Sequence, residues 1–240
     1  MRLSTCAVGI LLLLATLHLA SAEEKEAFVT LFNGKDLAGW RARDLPEKPN
    51  LWTVVGTVKL RENVSGSLDF QEGDGVLLNG GDGKGDDLLA EMAHGDCELH
   101  VEFLVPAGSN SGVYFHGQYE VQIRDSFGKK DSELEFRDCG GIYRTAAPRK
   151  NASKAPGEWQ SFDIVFRAPR FDSAGKKTAN ARFVKVVHNG VLIHEDVEVP
   201  GPNAGASLGG DEKPRAPLFL QGTQAPVAFR NIRLKPVDLK

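Results

Sequence analysis

The sequence predicts an all-β protein built as an antiparallel two-sheet sandwich. Three observations predict it: apolar and polar residues alternate in several short segments, stretches rich in Gly and Pro separate them, and only residues 85–93 have a helix-like composition. Alternation gives each strand one apolar face, and two sheets bury such faces by packing on each other. We expect a single domain, since about 215 residues suit one β-sandwich.

The first 22 residues predict an export signal. They contain one arginine, an apolar run over residues 7–15, and small residues at Ala20, Ser21 and Ala22. The run is too short for a membrane anchor. We therefore expect the domain at residues 23–240, a periplasmic or extracellular location, and no membrane span.

The composition argues against nucleic acid as a partner, but it does not decide whether the two cysteines form a disulfide. The formal net charge is −3 and the chain has no basic stripe or zinc-ligand spacing, so nucleic acid is not an expected partner. Cys97 and Cys139 follow the signal. An exported location permits a disulfide between them, but their spacing does not decide between a disulfide and two buried thiols.

Four segments predict strands by their alternation. Residues 97–105 place Cys97, Leu99, Val101 and Phe103 on one side, and residues 160–168 alternate in the same way. Residues 183–199 predict a hairpin, because Asn189-Gly190 suits the two positive φ angles of a type I′ turn. Residues 227–235 predict the last strand.

Residues 109–128, SNSGVYFHGQYEVQIRDSFG, predict a hairpin with its turn at Gly117-Gln118. If the aliphatic side chains face the core, Glu120, Gln122 and Arg124 share the other face, and the turn brings His116 near Tyr119 or Glu120. Two interpretations remain open: an ordinary solvated charged face, or a reaction site. Asn110, Tyr114, Gln122 and Tyr143 are the flat or hydrogen-bonding groups that sugar recognition uses.

Five segments in order give the chain a family resemblance. They are LFNGKDLAGW (31–40), the 109–128 segment, CGGIYRTAAPRKNASKAPGEWQSFDIVF (139–166), HNGVLI (188–193) and PVAFRNIRLKP (226–236). The chain resembles the 3-keto-disaccharide hydrolase family over about residues 28–236. This resemblance implies a concanavalin- or laminin-G-like jelly-roll sandwich and cleavage of 3-keto-glycosides by elimination, with hydration of the resulting glucal.

The implied chemistry needs a base, an enolate stabiliser and an acid. The hypothesis assigns Glu120 or His116 as the base, Arg124 or a bound cation as the stabiliser, and Tyr143 or the remaining base candidate as the acid. A carboxylate pair of the conventional glycosidase kind is not found in the sequence. The substrate-binding candidates are Asn110, Tyr114, Gln122, Asp125, Arg144 and Gln221.

The sequence does not decide whether a metal cofactor is bound, whereas the expected partners follow from the implied chemistry. His116, Glu120 and Asp125 offer ligands for a divalent cation, but their spacing matches no metal motif. The acidic run at residues 80–87 is interpreted as a turn. The expected partner is a small oxidised glycoside or disaccharide, with a functional link to a dehydrogenase that oxidises C3.

One departure supports an alternative function. Members of the family often carry a histidine-containing turn before the closing strand, where this chain has Gly222-Thr223-Gln224-Ala225. Gln224 cannot carry a proton near neutral pH. The alternative is a non-catalytic carbohydrate-binding module on the same fold. Trp159 is either a sugar platform of such a module or a core residue.

Overall fold

The computed structural model describes residues 27–203 and 208–240, which form β-strands and one turn of 3₁₀ helix, Asp131–Glu133. The export signal predicted at residues 1–22 lies outside the described residues. No helix in the described ranges has the length and apolarity needed to cross a membrane. In chain order the strands are β1 (Val29–Thr30), β2 (Trp40–Ala42), β3 (Trp52–Leu60), β4 (Leu68–Asn79), β5 (Leu88–His94), β6 (Cys97–Leu104), β7 (Asn110–Phe115), β8 (Tyr119–Arg124), β9 (Gln160–Arg167), β10 (Arg170–Phe171), β11 (Lys177–Ala179), β12 (Ala181–His188), β13 (Val191–Val199), β14 (Ala216–Leu220) and β15 (Ala228–Pro236).

Two antiparallel sheets form the sandwich. The larger sheet has the strand order β13-β12-β9-β6-β15-β4-β3, with β1 also paired to β15. The smaller sheet has the order β2-β5-β14-β7-β8. Strands β10 and β11 form a separate ribbon. The predicted two-sheet jelly-roll sandwich is therefore confirmed.

An aromatic layer fills the space between the sheets. Phe103 and Phe162 of the larger sheet lie with ring centroids 4.8 Å apart, and Phe115 of the smaller sheet lies 4.7 Å from Phe166. All four side chains are fully buried in one hydrophobic cluster. Burying a large aromatic side chain contributes about 1.5–3 kcal/mol, so this layer holds the two sheets together.

The alternating segments form strands as predicted. Strands β6, β9 and β15 occupy the segments that alternate, and Asn189 and Gly190 have φ of 49° and 80° in the β12–β13 turn. The helical interpretation of residues 85–93 is wrong, because Leu88–His94 is strand β5. Leu88 and Ala90 pack in the main core, whereas Leu89 joins a different cluster, so tertiary packing overrides the local composition.

Cys97 and Cys139 are both buried free thiols. Burial raises the pKa of each thiol, to about 12 for Cys139. Thiols in this environment are mostly protonated and act as small apolar core groups.

Four histidines are buried in the described residues: His94, His116, His188 and His194. Burial is the main cause of their lowered pKa values, which fall to about 3 for His94 and His188 and to about 4 for His116 and His194. The proximity of His116, whose ring centroid lies 4.8 Å away, lowers the pKa of His94 further. All four rings are neutral near pH 7.

The free energy of unfolding is expected to fall as the pH drops from about 6.5 to about 4. In this range the unfolded chain protonates each histidine near its ordinary pKa of 6.5, while the folded chain keeps the buried rings neutral, so acid favours unfolding. Each ring contributes at most about 1.4 kcal/mol per pH unit. Urea unfolding at several pH values measures the slope.

The His188→Phe variant is the matched control for this slope. His188 packs against Phe162 with ring centroids 4.9 Å apart, which suits an apolar ring. Gln160 Oε1, the hydrogen-bond partner of the imidazole, also accepts from the Lys154 N–H and so stays paired. In the variant, the slope of the unfolding free energy against pH should be smaller than in the wild type by the contribution of one histidine, at most about 1.4 kcal/mol per pH unit. A wild-type stability that is independent of pH between 6.5 and 5, or an unchanged slope in the variant, would contradict the assignment.

Candidate functional site

A polar cleft lies on the outward face of the smaller sheet, over the β7–β8 hairpin. The register pairs Tyr114 with Glu120 and Gly112 with Gln122, and alternation points these residues away from the core. The cleft has a volume of about 380 Å³, a size that suits a small ligand. Its lining residues are Asn110, Tyr114, Glu120, Gln122, Tyr143, Arg144, Gln221 and Gln224.

Tyr114 holds the carboxylate of Glu120. The Tyr114 side chain hydrogen-bonds Glu120, and its ring stacks on Phe219 with centroids 4.2 Å apart. Burial raises the pKa of Tyr114 far above its ordinary value, and the Glu120 charge raises it further. The phenol therefore stays protonated and donates to the carboxylate, which orients Glu120 within the cleft.

A loop following the 3₁₀ turn covers the free edge of β8 and brings Tyr143 beside Glu120. The backbone of Gln122 donates to the Gly141 carbonyl and accepts from the Gly140 N–H, each at 2.8 Å. The Tyr143 N–H donates to the Glu120 carbonyl at 3.1 Å. This pairing satisfies the edge of the sheet and sets one wall of the cleft.

Arg144 follows directly in this loop and supplies the positive charge of the cleft. Its φ is 54°, a left-handed conformation uncommon for residues other than glycine. The guanidinium carbon lies 5.3 Å from the centroid of the Tyr143 ring. Within residues 27–203 and 208–240, Arg144 forms no salt bridge, so its charge is available to a ligand.

The floor of the cleft depends on Gly112. A Cβ at this position would lie 2.7 Å from Glu120 Oε1 and 2.7 Å from Tyr114 Cε2. Glycine leaves the space that the carboxylate occupies. Gln122, opposite Gly112, donates from Nε2 to Asn110 Oδ1 at 2.6 Å.

Asp87 anchors the turn that carries Gln221 and Gln224. Its carboxylate accepts from the Gly222 N–H at 3.0 Å and pairs with Arg43 at 3.1 Å. Burial raises the pKa of Asp87, and its hydrogen bonds to Gly222 and Arg43 oppose the shift. Sequence reasoning missed this role, because an acidic run beside glycines is more typical of a turn.

Asn203 is a second supporting residue that the sequence did not indicate. Its Oδ1 accepts from the Glu120 N–H at 3.0 Å, and its Nδ2 donates to Thr145 Oγ1 at 3.2 Å. Asn203 thus connects β8 to the loop of Tyr143 and Arg144. No local pattern marks it, because its partners are more than 50 positions away.

His116 lies in the core and does not line the cleft. It occupies the β7–β8 turn with φ of 54°, which breaks the alternation of the strand. Its ring lies 6.1 Å from Tyr119 and 5.4 Å from Phe166, between centroids. The expected proximity to Tyr119 is therefore present, but the imidazole does not share the surface of Glu120.

Arg124 and Asp125 line a neighbouring cavity of about 560 Å³. Arg124 points to the same side as Glu120 and Gln122, but it is at the end of β8 and exposed. The Asp125 carboxylate accepts from the backbone N–H groups of Gly108 at 2.9 Å and Phe127 at 3.3 Å, so it stabilises the adjoining loops. Of the ten predicted site residues, the structure brings seven into one cleft: Asn110, Tyr114, Glu120, Gln122, Tyr143, Arg144 and Gln221.

Two other features bear on ligand binding. Across the described residues, no group of three or more His, Cys, Asp or Glu side chains is placed to hold a metal ion. Trp159, half-buried beside the core, has the guanidinium carbon of Arg230 4.0 Å from its ring centroid. The guanidinium of Arg230 therefore lies over a face of the Trp159 ring on which a sugar would stack.

Comparison with known proteins identifies the family of this chain. Residues 27–235 match the family model described as the 3-keto-alpha-glucoside-1,2-lyase-like domain. A 3-keto-disaccharide hydrolase of Bacteroides thetaiotaomicron is 32% identical over 166 residues, which are 59% of this chain and 53% of the relative. The chain thus aligns with about half the length of this curated relative.

Two solved structures from Parabacteroides distasonis ATCC 8503, each described as a candidate glycosyl hydrolase, share the architecture. One has a TM-score of 0.62 and 25% identity, covering 88% of this chain and 84% of the other. The second has a TM-score of 0.56 and 21% identity, covering 88% and 100%, and shows the fold alone. With the family model spanning almost the whole described chain, this protein belongs to the 3-keto-alpha-glucoside-1,2-lyase-like family.

Proposed function

We propose that this chain cleaves 3-keto-glycosides by elimination, with Glu120 as the base. The observation that carries the proposal is the pairing of one carboxylate and one cation in the same polar cleft, Glu120 and Arg144. The relative named 3-keto-disaccharide hydrolase supports the substrate class. A small oxidised glycoside or disaccharide is the proposed substrate.

The chemistry follows from a ketone at C3. The ketone acidifies the proton on C2, which Glu120 removes, and the electrons of the C2–H bond move to form an enolate. The enolate then restores the carbonyl and expels the C1 substituent, which leaves as an alcohol after taking up a proton. Addition of water across the C1–C2 double bond gives the free 3-keto sugar. A positioned base accelerates such a step by about 10²–10⁴-fold.

Arg144 is the proposed stabiliser of the enolate oxygen. Its guanidinium lines the same cleft as Glu120, whereas Arg124 lines the neighbouring cavity. A fixed donor at a developing oxyanion is worth about 10²–10³-fold in kcat. Tyr143 is the proposed acid for the leaving group, because its backbone N–H donates to the Glu120 carbonyl and so places it beside the base.

A conventional glycosidase mechanism fits this cleft less well. Retaining and inverting enzymes both place two carboxyl groups on either side of the scissile bond. Among the described residues that line the cleft, Glu120 supplies the one carboxylate. A base acting on a ketone-activated C–H bond needs no second carboxylate.

A carbohydrate-binding module is the second proposed function, and Gln224 is the observation that favours it. Gln224 lines the cleft at the turn where family members often carry histidine. An amide there binds hydroxyl groups but transfers no proton near neutral pH. In this alternative the cleft binds a glycoside without cleaving it.

The location and the source of the substrate are parts of the proposal. The export signal at residues 1–22 predicts a periplasmic or extracellular protein. The C3 ketone must be made before cleavage, so an oxidoreductase that dehydrogenates glycosides at C3 has to act first.

The purified protein is expected to cleave a nitrophenyl 3-keto-glucoside and to leave the unoxidised glucoside intact, because only the ketone acidifies C2–H. Glu120→Gln should reduce kcat by about 100-fold or more, since the amide cannot take the proton. Nitrophenol release measures both results.

Glu98→Gln is the matched control, because Glu98 lies on the larger sheet and pairs with Lys235 at 3.2 Å. Full turnover by Glu120→Gln would exclude Glu120 as the base. Saturable binding of the glycoside without cleavage by the wild type would favour the binding module.

The two arginines are expected to differ in their effect. Arg144→Ala should lower kcat by about 10²–10³-fold with a smaller change in KM, because the enolate forms after binding. Arg144→Lys should recover part of the loss. Arg124→Ala should cause a much smaller loss, and the reverse order would assign the stabilising role to Arg124.

Gly112→Ala is expected to impair catalysis and to lower the melting temperature. The added Cβ meets the carboxylate of Glu120 and the edge of the buried Tyr114 ring, so both side chains move from their positions. A displacement of about 1 Å at a reacting group can cost about 10²-fold in rate. Steady-state kinetics and thermal melting separate the two effects.

Gly201→Ala is the matched control for this substitution, because an added Cβ there meets no atom of residues 27–203 and 208–240 within 4 Å. Equal kcat values in the Gly112→Ala variant and the wild type would show that the space above Gly112 has no catalytic importance.

A further inference from the structure

The side-chain amide of Gln122 is buried and held on several sides. Only 3% of the residue is exposed, and both of its backbone groups bond the neighbouring loop. Its Nε2 donates to Asn110 Oδ1 at 2.6 Å, which assigns the amide nitrogen to Asn110. Its Oε1 has no hydrogen-bond partner among the described residues.

This oxygen belongs to a side chain that lines the cleft, opposite a glycine. Gly112 faces Gln122 in the strand register, and the Glu120 carboxylate and the edge of the Tyr114 ring lie over Gly112, so Gln122 is a neighbour of the proposed base. A buried acceptor without a donor is unfavourable, and native proteins usually satisfy such groups. A ligand hydroxyl would satisfy this one.

We propose that Gln122 Oε1 accepts a hydrogen bond from one ring hydroxyl of the glycoside, and that this contact sets which carbon can carry the ketone. The inference rests on the proposed function for the class of substrate. It goes further by giving the cleft a residue that distinguishes a hydroxyl from a ketone.

The distinction follows from donor and acceptor capacity. A hydroxyl has a proton to donate to Oε1, whereas a ketone has only lone pairs and would meet the amide oxygen with a second acceptor. Arg144 has the opposite character, since a guanidinium donates and does not accept. A sugar with its ketone toward Arg144 and a hydroxyl toward Gln122 would pair with both side chains.

Asn110 fixes the direction of the Gln122 amide. Because Asn110 Oδ1 takes the Nε2 donor, Oε1 is left for the ligand. An aspartate at position 110 would still accept from Nε2 and would keep this direction. A leucine would release the amide, which could then turn its nitrogen toward the ligand.

The experiment uses a nitrophenyl 3-keto-glucoside and its 2-deoxy, 4-deoxy and 6-deoxy counterparts. The wild type should lose about 10- to 100-fold in kcat/KM with one of the three deoxy probes, as expected for one hydrogen bond to a buried acceptor. With the parent 3-keto-glucoside, the kcat/KM of Gln122→Met should be lower than that of the wild type by a similar factor. It should not fall further with the deoxy probe to which the wild type is sensitive.

Gln71→Met is the matched control, because Gln71 is an exposed glutamine on β4 of the larger sheet. It should retain wild-type kinetics with all four probes. The proposal is overturned if the wild type is indifferent to every deoxy probe, or if Gln122→Met loses the same factor with each of them.

The variants at position 110 test the proposal without altering Gln122. Asn110→Asp should keep the preference of the wild type among the four probes, and Asn110→Leu should reduce it. Equal preferences in these two variants would contradict the assigned direction of the amide.

Binding measurements separate this proposal from the proposed reaction. If the wild type cleaves no 3-keto probe, calorimetry with the unoxidised glucoside and its deoxy series tests the same contact through Kd. Loss of affinity with one deoxy sugar, absent in Gln122→Met, would support the contact while rejecting the elimination. Identical affinities across the series in both proteins would overturn it.

Discussion

The packing of two apolar sheet faces on one another is the interaction on which the rest of the structure depends. Val113 and Phe115 of β7 and Val121 of β8 are fully buried in the layer between the sheets. Because side chains alternate along a strand, burying this set forces the residues between them outward. Tyr114 and Glu120 therefore face the cleft as a direct consequence of core packing. A one-residue slip of either strand would exchange the two sets.

The outer edge of the smaller sheet is a second constraint, and it links backbone pairing to the cleft. Strand β8 is an edge strand whose N–H and C=O groups need partners. The loop from Gly140 to Tyr143 supplies them, because its backbone groups bond those of Gln122 and Glu120. Asn203 bonds the same strand from a distant segment. The groups that cover the edge thus also place an aromatic ring and a guanidinium beside the carboxylate.

The electrostatics of the cleft suit a reaction that moves one proton near one anionic oxygen. Tyr114 is kept protonated by burial and by Glu120, so it directs the carboxylate without competing as a base. Asp87 and Arg43 pair with each other behind the 221–224 turn. Arg144 remains as a cation that forms no salt bridge within the described ranges. The amides of Asn110 and Gln122 add neutral recognition groups, which hold hydroxyls without changing the charge balance.

The sequence by itself determined the sandwich, its main strands and the outward face of the β7–β8 hairpin, because these follow from a two-residue period that is visible locally. It could not place His116, since a positive φ in the turn breaks that period and sends the ring into the core. It also could not show that Gln224 lines the cleft together with Glu120, or that Asp87 and Asn203 support it. Residues far apart in the chain form these contacts, and only the packing of the two sheets and their loops brings them together.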